Sequence, residues 1–207
     1  MLKKIVVFAS GAGSNFRKIK EFIDNKKVKG SIVLLISNNP KCGAVEFSKL
    51  NNIDYKIIND FRYKNEENKN HEYELVLKSY KTELILLAGF MKKIPDNIIS
   101  IYKNKIMNIH PSMLPKYGGS GFYGMKVHRE IIKNKENNTG ATVHFVNEQY
   151  DKGPIIIQKQ IKVQNSDTPK SLASRVLKVE HEIYPKAVKA FCSNKITIED
   201  NQVKINE

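Results

Sequence analysis

Three short segments bring together residue types and spacings that chemistry can use. In Asn108-Ile109-His110-Pro111-Ser112-Met113-Leu114-Pro115 an amide and an imidazole stand two positions apart. An extended chain points such a pair to one side. There they could hold a carbonyl oxygen and manage a proton. A lone histidine is more often structural, but a polar pair followed by two stiffening prolines favours a reactive reading. The second segment is Ser10-Gly11-Ala12-Gly13-Ser14-Asn15. Its glycines permit a tight turn, and a helix starting behind it would present unpaired N–H groups to an anion. It is neither a dinucleotide fingerprint, since Phe16 stands where a glycine is needed, nor a nucleoside-triphosphate loop, since no Gly-Lys-Ser/Thr follows. A monophosphate fits best; a well-capped helix after a tight turn is the plainer alternative. The third segment, Tyr150-Asp151-Lys152-Gly153-Pro154, is ordinary turn chemistry by itself. Delivered beside His110, the Asp151 carboxylate would orient the imidazole and favour its charged form.

These segments need elements to hold them. Short apolar runs at 4–9, 31–37, 55–58, 84–88 and 105–109 predict strands buried on both faces. Between them, 16–25, 43–51, 71–80 and 96–102 carry helical spacing. The alternation predicts an α/β fold: a Rossmann-like open, mostly parallel sheet with helices on both faces. Asn108 and His110 then fall at the carboxyl end of the fifth strand, where open α/β sheets bind ligands. Beyond it, 111–124 reads as an irregular loop and 126–134 as a helix. Residues 141–147 and 154–163 read as strands, 168–191 as a long helix and 195–203 as a strand pair. Pro185 predicts a kink or boundary in the long helix. The polar stretch 59–70 reads as a mobile loop.

Composition narrows the function classes. A length of 207 residues predicts one domain, residues 1–207. Hydrophobic residues make up 41%, and no apolar run is long enough to cross a bilayer. Residues 1–8 read as a first buried strand rather than a signal peptide. The net charge of +14 is almost all lysine, spread along the chain, with arginine only at 17, 62, 129 and 175. That dispersion argues against a nucleic-acid surface. Cys42 and Cys192 are far apart and lack metal-ligand spacing, so two free cytoplasmic thiols and no metal are expected.

Further motifs extend the pattern: Ala88-Gly89-Phe90-Met91, Thr142-Val143-His144-Phe145-Val146, Asp151-x-Gly153-Pro154-Ile155-x-x-Gln158 and Glu180-His181-x-x-Tyr184-Pro185. With Ser10–Asn15 and Asn108–Pro115, they occur in an order that resembles the glycinamide ribonucleotide formyltransferases over nearly the whole chain. The resemblance implies formyl transfer from 10-formyltetrahydrofolate, as co-substrate, to the amine of glycinamide ribonucleotide in purine synthesis. It implies that Gly13, Ser14 and Asn15 hold the nucleotide phosphate and that Glu180 lies near the amine. It implies a pterin pocket along Met91, Lys92, Lys93 and Ile94, largely through backbone groups. Asn108 would donate to the formyl oxygen, His110 would act as acid and base, and Asp151 would be its partner. His144 matches a supporting histidine. Residues 1–110 would form the nucleotide-binding half and 111–207 the half that completes the folate site. Asn70 aligns where relatives often place an arginine near the folate tail, with Arg62, Lys64 and Lys69 as nearby cations. Residues 118–127 form a longer loop than the usual Pro-Gly form, so no contact is transferred there. Methionyl-tRNA formyltransferases and formyltetrahydrofolate deformylases are similar around Asn108 and His110 but carry an added domain. A non-enzymatic nucleotide-binding domain would explain the phosphate loop alone. The expectation is a cytoplasmic enzyme, monomer or homodimer, without nucleic-acid or membrane partners.

Overall fold

The computed structural model describes residues 1–25, 27–200 and 202–206. The order of elements is β1 (Lys3–Phe8), α1 (Ser14–Asp24), β2 (Gly30–Ser37), α2 (Gly43–Leu50), β3 (Tyr55–Ile57), α3 (Glu66–Ser79), β4 (Leu84–Leu87), α4 (Asp96–Ile101) and β5 (Ile106–His110). There follow α5 (Met125–Lys133), β6 (Asn138–Phe145), β7 (Ile155–Lys162), α6 (Pro169–Cys192), β8 (Ile196–Glu199) and β9 (Gln202–Ile205). The main sheet has the order β3-β2-β1-β4-β5-β6-β7, and β8 and β9 form a separate antiparallel pair. β1 runs parallel to both β2 and β4, β2 is parallel to β3, and β6 and β7 are antiparallel. This is the Rossmann-like, mostly parallel α/β sheet that the alternation of patterns predicts. Two compact units divide inside β5: Met1–Met107 and Asn108–Glu207.

In the first unit, Ile5 through Ala9 and Leu84 through Leu86 are almost wholly buried. Strands covered on both faces read as unbroken apolar runs for this reason. The strand order turns at β1 and β4, so their carboxyl ends flank the crevice where such sheets take ligands. One expectation is corrected here. α3 starts at Glu66, inside the predicted loop, because the Asn65 side chain accepts from the Asn68 N–H at 3.1 Å and two glutamates fill the first turn. Weak apolar periodicity hid a start set by capping.

In the second unit, α6 continues through Pro185 rather than ending there. Pro185 removes one backbone donor, but Ile183, Tyr184, Ala187 and Val188 around it are buried, and that packing keeps the helix whole. The Thr168 hydroxyl accepts from Ser171 N, the Ser171 hydroxyl accepts from Thr168 N, and together they start the helix at the expected point. Among the described residues, no helix is long and apolar enough to cross a membrane.

Candidate active site

The turn after β1 has the form that an anion site needs. Gly13 is the N-cap of α1 at φ 73°, and no side chain caps the first turn. A helix start of this form suits an anion. Only glycine suits this position. It adopts a left-handed conformation, and a Cβ there would stand 2.9 Å from that of Ala44. Ser14 is half-buried and Asn15 buried at the same helix start. Arg17 braces the turn from outside: its guanidinium donates to the Gly43 carbonyl at 3.2 Å and lies over the Phe47 ring at 4.5 Å. Ser10 ties the turn to the segment after β4. Its N–H donates to Gly89 O at 3.0 Å, and its hydroxyl accepts from Met91 N at 2.9 Å.

The same unit holds a cleft of about 1010 Å³. Asn70, Lys92, Lys93 and Ile94 line it, so four of the six residues expected along the folate reach one cavity, while Asn108 belongs to the second unit. Met91 is exposed and is placed by its backbone bond to Ser10. Of the three cations expected near Asn70, Lys69 lines the cleft, paired to Asp60 at 2.6 Å. Lys92 reaches the same carboxylate at 3.1 Å, and these two ammonium groups hold Asp60 below the usual carboxylate range.

The second unit gathers the reactive set. Asn108 and His110 lie on β5, and Asp151 enters from the turn before β7. His110 Nδ1 is 3.5 Å from Asp151 Oδ2, and His144 Nε2 on β6 is 3.5 Å from Asp151 Oδ1. Asn108 Nδ2 contacts His144 Nε2 at 3.2 Å and Asp151 Oδ1 at 3.4 Å. Both contacts are long for N–H bonds, so one of these hydrogens can turn to an incoming oxygen at small cost. Two backbone features deliver the carboxylate. Asp151 itself is left-handed, at φ 56°. At Gly153 a Cβ would come within 1.8 Å of the Phe145 carbonyl oxygen, so the turn can lie against β6 only with glycine there. Glu180 is half-buried on α6.

Electrostatics adds an influence that spacing does not show. Burial pushes the His110 pKa down, and the Asp151 charge and the Tyr117 carbonyl offset this only in part. The Asp151 charge thus favours the imidazolium as expected, while burial, the larger influence, favours the neutral ring. Burial also raises the Asp151 carboxyl, but the His144 contact and the Gly119 N–H, joined by His110 whenever its ring is protonated, outweigh it and hold the carboxyl below its usual range. Hydrophobic patterning cannot reveal this balance, because desolvation is a tertiary property.

Beside His144, expected as a supporting histidine, several contributors carried no sequence signal of a role. His144 donates through Nδ1 to the Phe145 carbonyl at 2.8 Å, which aims Nε2 at the Asn108 amide. Gly119 N donates to Asp151 Oδ2 at 2.9 Å, and Tyr117 O lies 2.7 Å from His110 Nε2. Thr142 and Gln158 appeared only as motif letters. The Thr142 hydroxyl donates to Ser112 O and accepts from Leu114 N, while Gln158 donates to both Thr142 and Leu114 O. They secure the proline loop after β5, in which the Leu114–Pro115 peptide is cis.

His128 on α5 is a further buried histidine, 4% exposed, whose Nδ1 has no hydrogen-bond partner among the described residues. Burial, with a smaller contribution from the His110 charge, pushes its pKa down to about 4. Unfolding restores an ordinary histidine near 6.5, so the unfolded chain binds the proton first as pH falls. The stability this contributes is full above 6.5 and is lost as pH drops from there to about 4. The loss is about 3 kcal/mol. His128→Gln should accordingly lose less stability than the parent in denaturant melts between about pH 7 and about pH 4.5. Equal losses would show that His128 is not held neutral.

Residues 3–188 match the family described as formyl transferase. The chloroplastic phosphoribosylglycinamide formyltransferase of Arabidopsis thaliana is 39% identical over 204 residues, covering 98% of this chain and 70% of that protein. The phosphoribosylglycinamide formyltransferase of Bacillus subtilis is 36% identical over 188 residues, covering 91% of this chain and 94% of its own. This chain spans 62% to 70% of three chloroplastic plant relatives. Among solved structures, glycinamide ribonucleotide transformylase 1 from Symbiobacterium toebii superposes with a TM-score of 0.93 at 29% identity, covering 100% of this chain and 95% of that one.

Proposed function

The chain belongs to the formyl transferase family, and from that premise we propose that it moves a formyl group from 10-formyltetrahydrofolate to the amine of glycinamide ribonucleotide. The products are formylglycinamide ribonucleotide and tetrahydrofolate, a step of purine synthesis. The observation that carries this reading is the convergence of Asn108, His110 and Asp151 at the carboxyl end of β5. Residues 1–207 act as one formyltransferase domain, in the cytoplasm, in line with two buried cysteines that form no disulfide. Its partners are these small molecules, with no nucleic acid or membrane, and it works as a monomer or homodimer.

The α1 start, with Gly13, Ser14 and Asn15, takes the nucleotide phosphate. The cleft lined by Asn70, Lys92, Lys93 and Ile94 has the volume and the mixed polar and apolar lining that a folate requires, with Met91 offering backbone beside it. Glu180 faces the positive end of the reacting amine. The amine nitrogen attacks the formyl carbon, and the carbonyl oxygen gains negative charge. Asn108 donates to that oxygen from a fixed strand position. Neutral His110 takes the proton lost by the attacking nitrogen and returns it to the departing folate nitrogen. Asp151 stabilises the imidazolium between those two events.

Formyl-transfer assays with glycinamide ribonucleotide, methionyl-tRNA and water as competing acceptors test the proposal. Formylated ribonucleotide should dominate; transfer to tRNA or hydrolysis alone would reassign the acceptor. The steps derived above use protein donors only. Among the described residues, no group of three His, Cys, Asp or Glu could hold a metal ion. Turnover should therefore survive EDTA. Loss on chelation that a divalent ion restores would overturn this mechanism.

A further inference from the structure

His110 is enclosed by protein, and the atoms around it settle where its proton resides. Its Nε2 lies 2.7 Å from the Tyr117 carbonyl oxygen. A carbonyl only accepts, so Nε2 bears the hydrogen and Nδ1 holds the lone pair. Nδ1 faces Asp151 Oδ2 at 3.5 Å. We propose that Tyr117 is a positioning residue that locks His110 in the Nε2–H tautomer, making Nδ1 the atom that accepts the proton during transfer. The inference deepens the formyl-transfer reading and rests on it for the proton's origin.

The lock is built rather than incidental. Tyr117 adopts φ 56°, a left-handed conformation uncommon for a bulky residue. Side-chain contacts hold it there. The phenol donates to Glu136 Oε1 at 3.0 Å and accepts from Asn134 Nδ2 at 3.0 Å, at the end of α5. The ring packs edge-on against Phe122, centroids 6.0 Å apart. Two residues later, the Gly119 N–H holds the Asp151 oxygen that faces Nδ1. One short segment thus fixes both the hydrogen on one side of the imidazole and the carboxylate on the other.

This arrangement orients the chemistry. With Nε2–H committed to a carbonyl, the neutral ring has a single basic atom. At rest, the Nδ1 lone pair and the Asp151 carboxylate repel each other weakly. A proton leaving the attacking amine for Nδ1 converts that contact to attraction, and the imidazolium then has an acceptor at each nitrogen. The proton next passes to the departing folate nitrogen, restoring the resting tautomer. The opposite tautomer would set a lone pair against the carbonyl oxygen. Among the described residues, Asp151, His144 and His128 are titratable groups that act on the ring, and of these three Asp151 favours the imidazolium.

Two-bond proton–nitrogen spectra of protein labelled with ¹⁵N-histidine read the tautomer directly, with His110→Gln assigning the signals. The neutral His110 ring should show the Nε2–H pattern. A neutral ring in the Nδ1–H form, or an even mixture, would overturn the inference whether or not formyl transfer is observed. Tyr117→Phe supplies the kinetic arm, since it keeps the ring but removes both phenol bonds. We expect kcat to fall roughly tenfold with both KM values nearly unchanged. The acid limb of kcat/KM should move to lower pH as the acceptor for the imidazolium loosens. An effect confined to KM or melting temperature, with the pH profile unmoved, would reduce Tyr117 to a structural residue and defeat the proposal.

Discussion

His110→Ala and Asn108→Ala should each lower kcat by at least about a hundredfold while both substrates still bind. Loss of one donor to a developing oxyanion typically removes roughly 3 kcal/mol of transition-state stabilisation. Loss of a general base is of comparable size. Asp151→Asn should be nearly as damaging, because it keeps the shape and removes the charge that stabilises the imidazolium. The structure adds a second reason. Asp151 lies 3.5 Å from both His110 and His144 and within reach of Asn108, so one substitution disturbs three neighbours. Residues coupled this closely are not additive. The double variant Asn108→Ala/Asp151→Asn should therefore fall well short of the product of the single losses. Steady-state kinetics with melting curves to confirm folding decide the matter. A folded Asp151→Asn protein with near-parental turnover would remove Asp151 from its role.

Gly13→Val should raise KM for the ribonucleotide by about tenfold to a hundredfold and leave folate binding nearly normal. Charge-assisted hydrogen bonds to a phosphate are worth roughly 1.5–3 kcal/mol each, and the substitution displaces the N–H groups that make them. Displacement follows from two features. Position 13 is left-handed at φ 73°, and an added Cβ would meet Ala44 at 2.9 Å before the valine methyls are counted. The turn must then lift away from the start of α2. If folate affinity collapses while ribonucleotide affinity holds, the two pockets have been assigned in reverse.

How much of this was legible in the residues varies by element. Strands β1, β2, β4 and β5 lay open in their apolar runs, since strands covered on both faces leave few polar positions, whereas β3, expected to be covered on both faces, is an edge strand with Tyr55 exposed. The Gly13 turn and the Asn108-x-His110 pair were legible too, because their geometry is local: a glycine after a strand, and two side chains at a spacing of two. The start of α3 was not. Its helix begins on the capping of Asn65 and the charge of Glu66 and Glu67, in a stretch whose polarity reads as loop.

What the sequence alone determined, then, is the order of the elements, the placing of Asn108 and His110 at the end of β5 and the family pattern. Each follows from periodicity or from contacts between near neighbours. Tertiary structure decided how the site works. It set Asp151 between two histidines, turned the Tyr117 carbonyl to His110 and the Gly119 N–H to Asp151, and gave Thr142 and Gln158 a loop to hold. It also set the burial of His110 against the favouring charge of Asp151, with burial the larger influence. These outcomes depend on residues far apart in the chain and on the removal of water. No spacing rule encodes either, because both arise only once the strands and turns have packed.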